Sequence, residues 1–452
     1  MIMNNLRKTK QKAWVVAVDM GYGHQRAAYP LKHLAYKNEI ITVNTYPGIP
    51  HQDRRIWKES RKFYEFISGF KKTPLVGKKI FQLYDKLQAI PHFYPRRDLS
   101  KSNIQLRQIY RLMEKWDWGK HLITKLAKKP LPMINTFFIP AFMADFFNYP
   151  GDIYCVVTDT DISRAWVPEK PSFSRINYLA PNYRVVERLK LYGVQENRIF
   201  LSGFPLPMEN IGGLKMNVLK KDLAHRIINL DPERKYQNLY DQLIKKYLGV
   251  KGLLKKSNHP LTLTFAVGGA GAQRSIGAEI VKSLKDKILA KEIKLILVAG
   301  IHNDVNSYFR KAARCCGLGK ELGQGIEIIF APNKDEYFKK FNEALRTTDI
   351  LWTKPSELSF YCALGLPIVM SPPIGSQEIF NRKWLRTIGA AVNQYQTKYA
   401  NEWLFDWVNS GWFAEAAMQG FVEAPKFGTF NIEKIIGHEF EKTKEPKMVI
   451  QY

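Results

Sequence analysis

The stretch that decides the fold is Asp349–Asn381, DILWTKPSELSFYCALGLPIVMSPPIGSQEIFN. Its apolar run Ile350–Trp352 predicts a buried strand, and Leu366–Met370 predicts a second one. A helical pattern follows each strand, from Glu357 to Gly365 and again over Gln377–Trp384. Strand, helix, strand and helix in this order are typical of a parallel sheet, which places both helix N-termini along one edge.

The two predicted helix starts carry polar side chains suited to binding an anion and a sugar. Thr353 and Ser356 are good N-cap residues, and the free N–H groups and positive dipole end of a helix favour a phosphate. The candidate donor-binding side chains of this stretch are Lys354, Ser356, Glu357, Gln377, Glu378 and Asn381. We interpret the stretch as the donor half of a nucleotide-sugar site.

Length and composition bound the architecture. A chain of 452 residues is too long for one core, so we expect two domains of about 200 residues each. The four cysteines show no CxxC spacing, which favours a reducing cytosol over a disulfide framework or a zinc site. No apolar run approaches the roughly 18 residues that a transmembrane helix needs. We expect a cytoplasmic protein without a bound metal.

The net charge of +28 implies an anionic partner, and the excess is concentrated in the region 53–130. Between Asp53 and Lys129 there are 20 Lys and Arg against 7 Asp and Glu, with aromatic residues between them. Lys71, Lys72, Lys78 and Lys79 are part of this region. We rank an anionic membrane surface first, buried aromatics with solvated lysines second, and single-stranded nucleic acid third. Peripheral association with the inner face of the membrane follows, without a nucleic-acid partner.

The N-terminal half contributes candidate residues after two predicted strands. Ala13–Asp19 runs into a turn with Gly21, Gly23 and His24, a pattern that also fits a plain turn with a surface histidine. Ile153–Thr158 is followed by Asp159, Asp161 and Trp166, which lie where open α/β sheets bind ligands. An aspartate at this place is equally common as a helix cap.

The C-terminal half begins again with a strand, Leu261–Ala266, and a glycine-rich turn that lets the backbone approach a pyrophosphate. The candidate donor-binding residues outside the deciding stretch are Gly269, Gly271, Arg274, Asn303 and Phe330. A stiff Phe-Pro-Leu-Pro segment precedes this half. We predict an N-terminal domain over residues 1–207, a C-terminal domain over 208–399, and a helical tail over 400–452 that packs back on the N-terminal domain.

These motifs, in this order, resemble the inverting glycosyltransferases of the GT-B fold. The resemblance is to family 28, which includes the monogalactosyldiacylglycerol synthases and the N-acetylglucosaminyltransferase of the lipid-linked peptidoglycan precursor. The matching motifs are DMGYGHQRAA, VVTDTDISRAWV, GGAG, TKPSELSFYCALGLP and GSQEIFN, with further matches from Gly193 to Pro205 and at Gly300 with Asn303. Together they cover residues 13 to 395.

The resemblance implies an α/β protein with two Rossmann-like doubly wound parallel-sheet domains facing a cleft. It implies transfer of a sugar from a nucleotide-sugar, with uridine diphosphate as the expected carrier, to a lipid or lipid-linked acceptor. The reaction would be an inverting single displacement with no cofactor beyond the donor substrate. His24 and Asp159 would provide the base and its environment, with Asp161 in reserve, and Gly21, Gly23 and Trp166 would face the acceptor.

One position departs from the family pattern. Phe360 stands at the spacing of the family's glutamate, and Glu357 lies eight residues before Gly365. Two alternatives therefore stay open beside the glycosyltransferase: a nucleotide-sugar epimerase on the same fold, and a non-catalytic protein that binds a nucleotide-sugar or an anionic surface.

Overall fold

The computed structural model describes residues 11–59, 89–249 and 254–439, apart from 267, 269, 270, 272 and 374. The chain forms two compact units. Unit 1 comprises the chain up to Pro205, the segment Ile374–Asn381 and the chain from Phe427 on. Unit 2 comprises Leu206–Pro373 and Arg382–Lys426.

Unit 1 is built on a six-stranded parallel sheet with the strand order β2-β1-β3-β4-β5-β6. The strands are β1 Trp14–Ala17, β2 Ile41–Thr42, β3 Met133–Asn135, β4 Ile153–Val156, β5 Ile176–Ala180 and β6 Ile199–Leu201. Their runs of buried apolar residues are typical of a sheet covered on both faces. One hydrophobic cluster covers each face, and the second includes Ile432, Ile435 and Ile436 from the end of the chain.

The helices of unit 1 lie between these strands and at the end of the chain. The α-helices are Gly23–Ala28, Ile104–Trp116, Lys120–Ala127, Phe138–Phe146, Tyr183–Leu191 and Gly428–Ile436, and residues 51–59 are also helical. Short 3₁₀ helices span Tyr29–Leu34, Tyr36–Asn38, Arg164–Trp166, Pro171–Phe173 and Glu196–Arg198. Asn103 and Asn182 cap two of the α-helices, because each side chain accepts a hydrogen bond from a first-turn N–H.

Unit 2 repeats the architecture with the strand order β12-β11-β10-β7-β8-β9, also parallel throughout. The strands are β7 Thr262–Ala266, β8 Lys294–Gly300, β9 Ile326–Phe330, β10 Ile350–Thr353, β11 Ile368–Met370 and β12 Ala391–Asn393. The α-helices are Met208–Ile211, Asn217–Leu230, Lys235–Leu239, Asp241–Leu248, Arg274–Ser283, Lys285–Leu289, Asn303–Cys315, Lys334–Leu345, Ala400–Asn409 and Trp412–Glu423. The helix Ser376–Thr387 begins in unit 1 and ends in unit 2. The 3₁₀ helices are Gly319–Glu321, Glu357–Leu364 and Thr397–Tyr399.

Each sheet has one topological switch point, where the strand order reverses. It lies between β1 and β3 in unit 1 and between β7 and β10 in unit 2. Open α/β sheets bind ligands at the carboxyl ends of the strands that flank this point. The predicted α/β class with two Rossmann-like doubly wound parallel sheets is confirmed.

The division of the chain differs from the predicted domains in three places, one of which is the segment Ile374–Asn381 that belongs to unit 1. The first unit ends at Pro205, two residues before the predicted boundary. The helices of the predicted tail over 400–452 are divided between the two units. The helices Ala400–Asn409 and Trp412–Glu423 belong to unit 2, and the helix Gly428–Ile436 belongs to unit 1. Within the region 53–130, residues 60–88 lie outside the described part of the chain. That gap includes all four lysines named above.

Candidate functional site

In unit 1 the turn after β1 is fixed from the neighbouring strand β2. The backbone N–H of Asp19 donates to the Asn44 side-chain oxygen, and the Asn44 amide donates to the Asp19 carbonyl, both at 3.0 Å. Gly21 then has a φ of +111°, a conformation that favours glycine. Sequence reasoning missed Asn44, because its partner Asp19 lies 25 residues earlier in the chain.

His24 lies at the switch point of unit 1, in the second position of the short helix Gly23–Ala28. Its Nδ1 is 2.7 Å from the carbonyl oxygen of Thr136, the residue after β3. A carbonyl can only accept, so Nδ1 carries the hydrogen and Nε2 of the neutral ring is the basic atom. The Phe137 ring packs on the imidazole at 4.6 Å between centroids, and the Trp166 ring lies 6.3 Å away. The ring orientation is therefore set by a hydrogen bond and by aromatic packing.

Trp166, predicted to face the acceptor, is buried. Its ring packs against Phe138 at 5.3 Å, and its carbonyl accepts a hydrogen bond from the Tyr178 hydroxyl at 2.9 Å. Its place in the core beside His24 supports the histidine rather than presenting a surface to an acceptor.

The turn after β4 brings Asp159 together with Asn381. The Asn381 amide donates to Asp159 Oδ1 at 3.1 Å. Its oxygen accepts from the backbone N–H and the hydroxyl of Thr160, both at 2.9 Å. Asp159 remains half-buried, whereas Asn381 is fully buried. Asn381 was predicted as a donor-binding residue, and its amide is instead bonded to the Asp159 turn of unit 1.

Asp161 does not fit the reserve catalytic role predicted for it. The carboxylate is fully buried and accepts from Arg184 Nε at 3.0 Å and from Arg188 Nε and Nη2 at 2.8 and 2.9 Å. The backbone N–H of Ile162 donates to it as well. Both arginines also lie over the Phe93 ring, at 3.8 and 5.0 Å. Asp161 is thus the anion of a buried ion cluster, which is a structural role.

In unit 2 the side chain of Lys354 lies next to Gly268 in the turn after β7. The Lys354 side chain, which follows β10, passes so close to Gly268 that an added Cβ would lie 2.9 Å from Lys354 Cε. The Gly271 N–H donates to the Gly268 carbonyl at 2.8 Å, which closes the turn, and Gly271 has a φ of +66°. Gly269 lies outside the described residues. Lysine and turn therefore meet at the switch point of unit 2.

The other predicted donor-binding residues of unit 2 are spread more widely. Arg274 is exposed and donates to Asp304 at 2.8 Å, with its guanidinium 5.0 Å from the Tyr308 ring, so its charge is directed at the neighbouring helix. Asn303 begins that helix and is exposed. Phe330 ends β9 and is half-buried.

The helical run after β10 is a 3₁₀ helix, Glu357–Leu364, and it ends at Gly365 as predicted. Ser356 occupies the N-cap position without a side-chain cap hydrogen bond. Glu357 is half-buried in the first turn. Phe360, at the family's glutamate spacing, is buried against Trp384 at 5.5 Å between ring centroids. This position is therefore part of the core.

Two kinds of feature, a metal site and a membrane-spanning helix, are absent from the described part of the chain. No group of three or more His, Cys, Asp or Glu side chains is placed to hold a metal ion there. Within the same residues, no helix combines the length and the apolar character needed to cross a membrane.

Two doubly wound parallel sheets, each with candidate residues in the turns at its switch point, match the architecture expected from the sequence. Comparison with known proteins identifies a matching family model and several relatives. A family model described as a domain of unknown function, DUF6938, matches residues 253–317. A Bacillus licheniformis protein named processive diacylglycerol beta-glucosyltransferase is 22% identical over 403 residues, covering 85% of this chain and 83% of the relative. The Bacillus subtilis protein of the same name is 20% identical over 397 residues, with 85% and 83% coverage.

Solved structures with a similar fold include S. aureus MnaA with UDP, at 12% identity and a TM-score of 0.45, covering 96% of this chain and 99% of that one. Another is MurG of Acinetobacter baumannii, at 12% identity and a TM-score of 0.40, covering 83% and 96%. The named relatives confirm the predicted resemblance to glycosyltransferase family 28 and the predicted enzyme class, a glycosyltransferase. The glycosyltransferase is better supported than the epimerase.

Proposed function

We propose that the chain transfers a sugar from a UDP-sugar to a lipid acceptor with inversion at the anomeric carbon. The observation that carries the proposal is the hydrogen bond from His24 Nδ1 to the Thr136 carbonyl at 2.7 Å. This bond directs the basic Nε2 lone pair away from the sheet, as a general base requires.

The reaction is a single displacement. Nε2 of His24 takes the proton of the acceptor hydroxyl, and the oxygen forms a bond to the anomeric carbon. The bond from that carbon to the diphosphate oxygen breaks, and its electron pair leaves with the nucleoside diphosphate. Asp159, half-buried in the turn after β4, is the proposed anion that favours the protonated imidazole.

The donor subsite is proposed at the switch point of unit 2. Lys354 above Gly268 supplies a cation for the diphosphate, and the Gly268–Gly271 turn lets the backbone approach the phosphates. Ser356 and Glu357 follow Lys354 at the same strand end and would bind the nucleoside. The donor is consumed as a substrate, and the proposal includes no cofactor or metal.

An anionic membrane surface is proposed as a further partner of unit 1. The helix Ile104–Trp116 exposes Arg107, Arg111 and Lys115 on its outer face, with exposed apolar side chains at its two ends. Ile104 is 58% and Trp116 57% exposed. A basic helix that presents apolar groups suits binding at the headgroup level of a bilayer. Peripheral association with the inner face of the membrane follows from the same proposal.

The test measures sugar transfer from UDP-glucose to diacylglycerol in phosphatidylcholine vesicles, with and without phosphatidylglycerol. The name of the relatives suggests this acceptor. We expect faster transfer on the anionic vesicles. His24→Ala is expected to lower turnover by at least about 100-fold, the contribution of a general base, while the thermal shift caused by UDP stays unchanged. The exposed His51, replaced by Ala, is the matched control and is expected to retain turnover.

Several results would contradict the proposal. Full turnover by the His24→Ala variant would remove the histidine from the reaction. A wild-type protein that binds UDP but transfers no sugar to any lipid would support the non-catalytic alternative. Interconversion of sugar nucleotides without an acceptor would support an epimerase.

A further inference from the structure

Asn381 is the sixth residue of the helix Ser376–Thr387 and its side chain is fully buried. It forms hydrogen bonds of ordinary length to the turn after β4: 2.9 Å from the Thr160 N–H, 2.9 Å from the Thr160 hydroxyl, and 3.1 Å to Asp159 Oδ1. A backbone N–H can only donate, so the atom facing Thr160 must be the oxygen. The NH₂ group consequently faces Asp159, and the orientation of the amide is fixed.

We propose that Asn381 is a positioning residue for Asp159 rather than a contact of the donor sugar. It would hold the Asp159–Thr160 turn in place and set the direction of the Asp159 carboxylate. It would also attach the segment Gly375–Asn381, with Gln377 and Glu378, to the sheet of unit 1. The effect on turnover rests on the proposed function, whereas the effect on the turn does not.

The turn is held from two sides. Asn381 bonds the N–H and the hydroxyl of Thr160, while the Asn182 amide donates to the Thr160 carbonyl at 3.1 Å. Asn182 is itself fixed as the cap of the helix Tyr183–Leu191. Both polar groups of the Thr160 backbone are thereby bonded to side chains from other elements. The bond from the Asn381 NH₂ then fixes the carboxylate of the preceding residue.

The same bond has an electrostatic effect. A donated N–H stabilises the ionised form of a carboxylate and lowers its pKa. Asp159 acts in the proposed reaction as an anion. Asn381 would therefore keep Asp159 ionised at lower pH than an aspartate without this donor.

Burial argues against a direct sugar contact. Asn381 has no exposed surface, and its amide is committed to Thr160 and Asp159. Gln377 and Glu378 in the first turn of the same helix are half-buried, and their role toward the sugar stays a prediction.

The first experiment follows hydrogen exchange by mass spectrometry in the peptide that spans Asp159–Ile162, in the full-length protein without ligand. Asn381→Ala removes the acceptor of the Thr160 N–H and is expected to speed its exchange at least about tenfold. The control is Asn431→Ala, whose amide likewise bridges two segments of unit 1 by donating to the Ser202 carbonyl at 2.9 Å. The control should leave the Asp159 peptide unchanged. Unchanged exchange in Asn381→Ala would overturn the positioning role whether or not the chain is an enzyme.

The second experiment measures transfer from UDP-glucose to diacylglycerol across pH with Asn381→Asp. This variant keeps an acceptor for Thr160 but places a carboxylate against Asp159. We expect the acidic limb of the kcat/KM profile to move up by about one pH unit, with KM for UDP-glucose unchanged. A raised KM with an unmoved pH profile would overturn the proposal in favour of a sugar contact. Absence of transfer by the wild type would contradict the proposed function, and the exchange result would then decide the positioning role alone.

Discussion

Replacing Asp161 by asparagine is expected to lower the free energy of unfolding of unit 1 by about 3–5 kcal/mol. The carboxylate accepts four hydrogen bonds, three from Arg184 and Arg188 and one from the Ile162 N–H. Asparagine keeps one accepting oxygen and turns an NH₂ group toward arginine donors. At about 1.5–3 kcal/mol for each bond to a charged group, the loss of two such bonds accounts for the expected value.

Burial is the reason that the cost is large. Arg184 is 5% exposed and Arg188 is fully buried, so water cannot replace the missing anion. The Phe93 ring at 3.8 and 5.0 Å retains part of the stabilisation of the guanidinium groups. The decrease in the free energy of unfolding should therefore be smaller than the summed contributions of all the hydrogen bonds in the ion cluster.

The assay is urea unfolding, followed by tryptophan fluorescence and circular dichroism and analysed as two transitions where the units unfold separately. The control is Asp117→Asn in the same unit, because Asp117 pairs with Lys120 at 3.2 Å on the surface. It should change stability by less than about 0.5 kcal/mol. A change below about 1 kcal/mol in Asp161→Asn, together with lost sugar transfer in a folded protein, would refute the structural role and return Asp161 to the catalytic candidates.

Two further predictions concern the donor subsite and pH. Gly268→Ala should weaken UDP binding about tenfold in calorimetry, because the new Cβ would displace the Lys354 side chain. The control is Gly319→Ala, whose Cβ would meet nothing nearer than 3.6 Å. Equal affinities of the two variants for UDP would count against the donor subsite. Burial raises the pKa of Asp53, although the N–H of Gly119 donates a hydrogen bond to its carboxylate. The stabilisation by protonated Asp53 is therefore present below the unfolded-state pKa of about 3.9. It is lost as the pH rises through the pKa of the folded state. Asp53→Asn should therefore gain stability over the wild type between pH 4 and 7 in urea unfolding, and a constant difference would contradict this.

The sequence identified the strands and the turns of the candidate site because both follow from local patterns. Apolar runs followed by glycines or polar residues mark strand ends in α/β proteins, and the parallel sheet brings those ends together. His24 and Asp159 were found in this way. The same patterns carry no information on which side of a turn faces the core. Asp161, two residues from Asp159, was consequently predicted as a reserve catalytic residue, whereas its carboxylate lies in a buried ion cluster.

A usable signal for Asp161 was nevertheless present in the helix Tyr183–Leu191. Arg184 and Arg188 lie four residues apart and therefore share one face of that helix, where a single carboxylate can accept from both. Asn44 and Gly277 were missed for a different reason. Their roles depend on partners distant in the sequence: Asn44 bonds the Asp19 backbone, and a Cβ on Gly277 would lie 2.6 Å from the Phe309 ring.

The segment Ile374–Asn381 shows how far sequence order and structural grouping can differ. It lies between β11 and β12 of unit 2 in the chain, yet it belongs to unit 1, where Asn381 bonds Thr160 and Asp159. In the proposed reaction Gln377 and Glu378 hold the sugar, while His24 removes the acceptor proton. A displacement requires the attacking oxygen to be held about 3–3.5 Å from the anomeric carbon. Asn381 contributes to this requirement within unit 1, because its bonds hold the Asp159 turn at the same carboxyl edge of the sheet as His24.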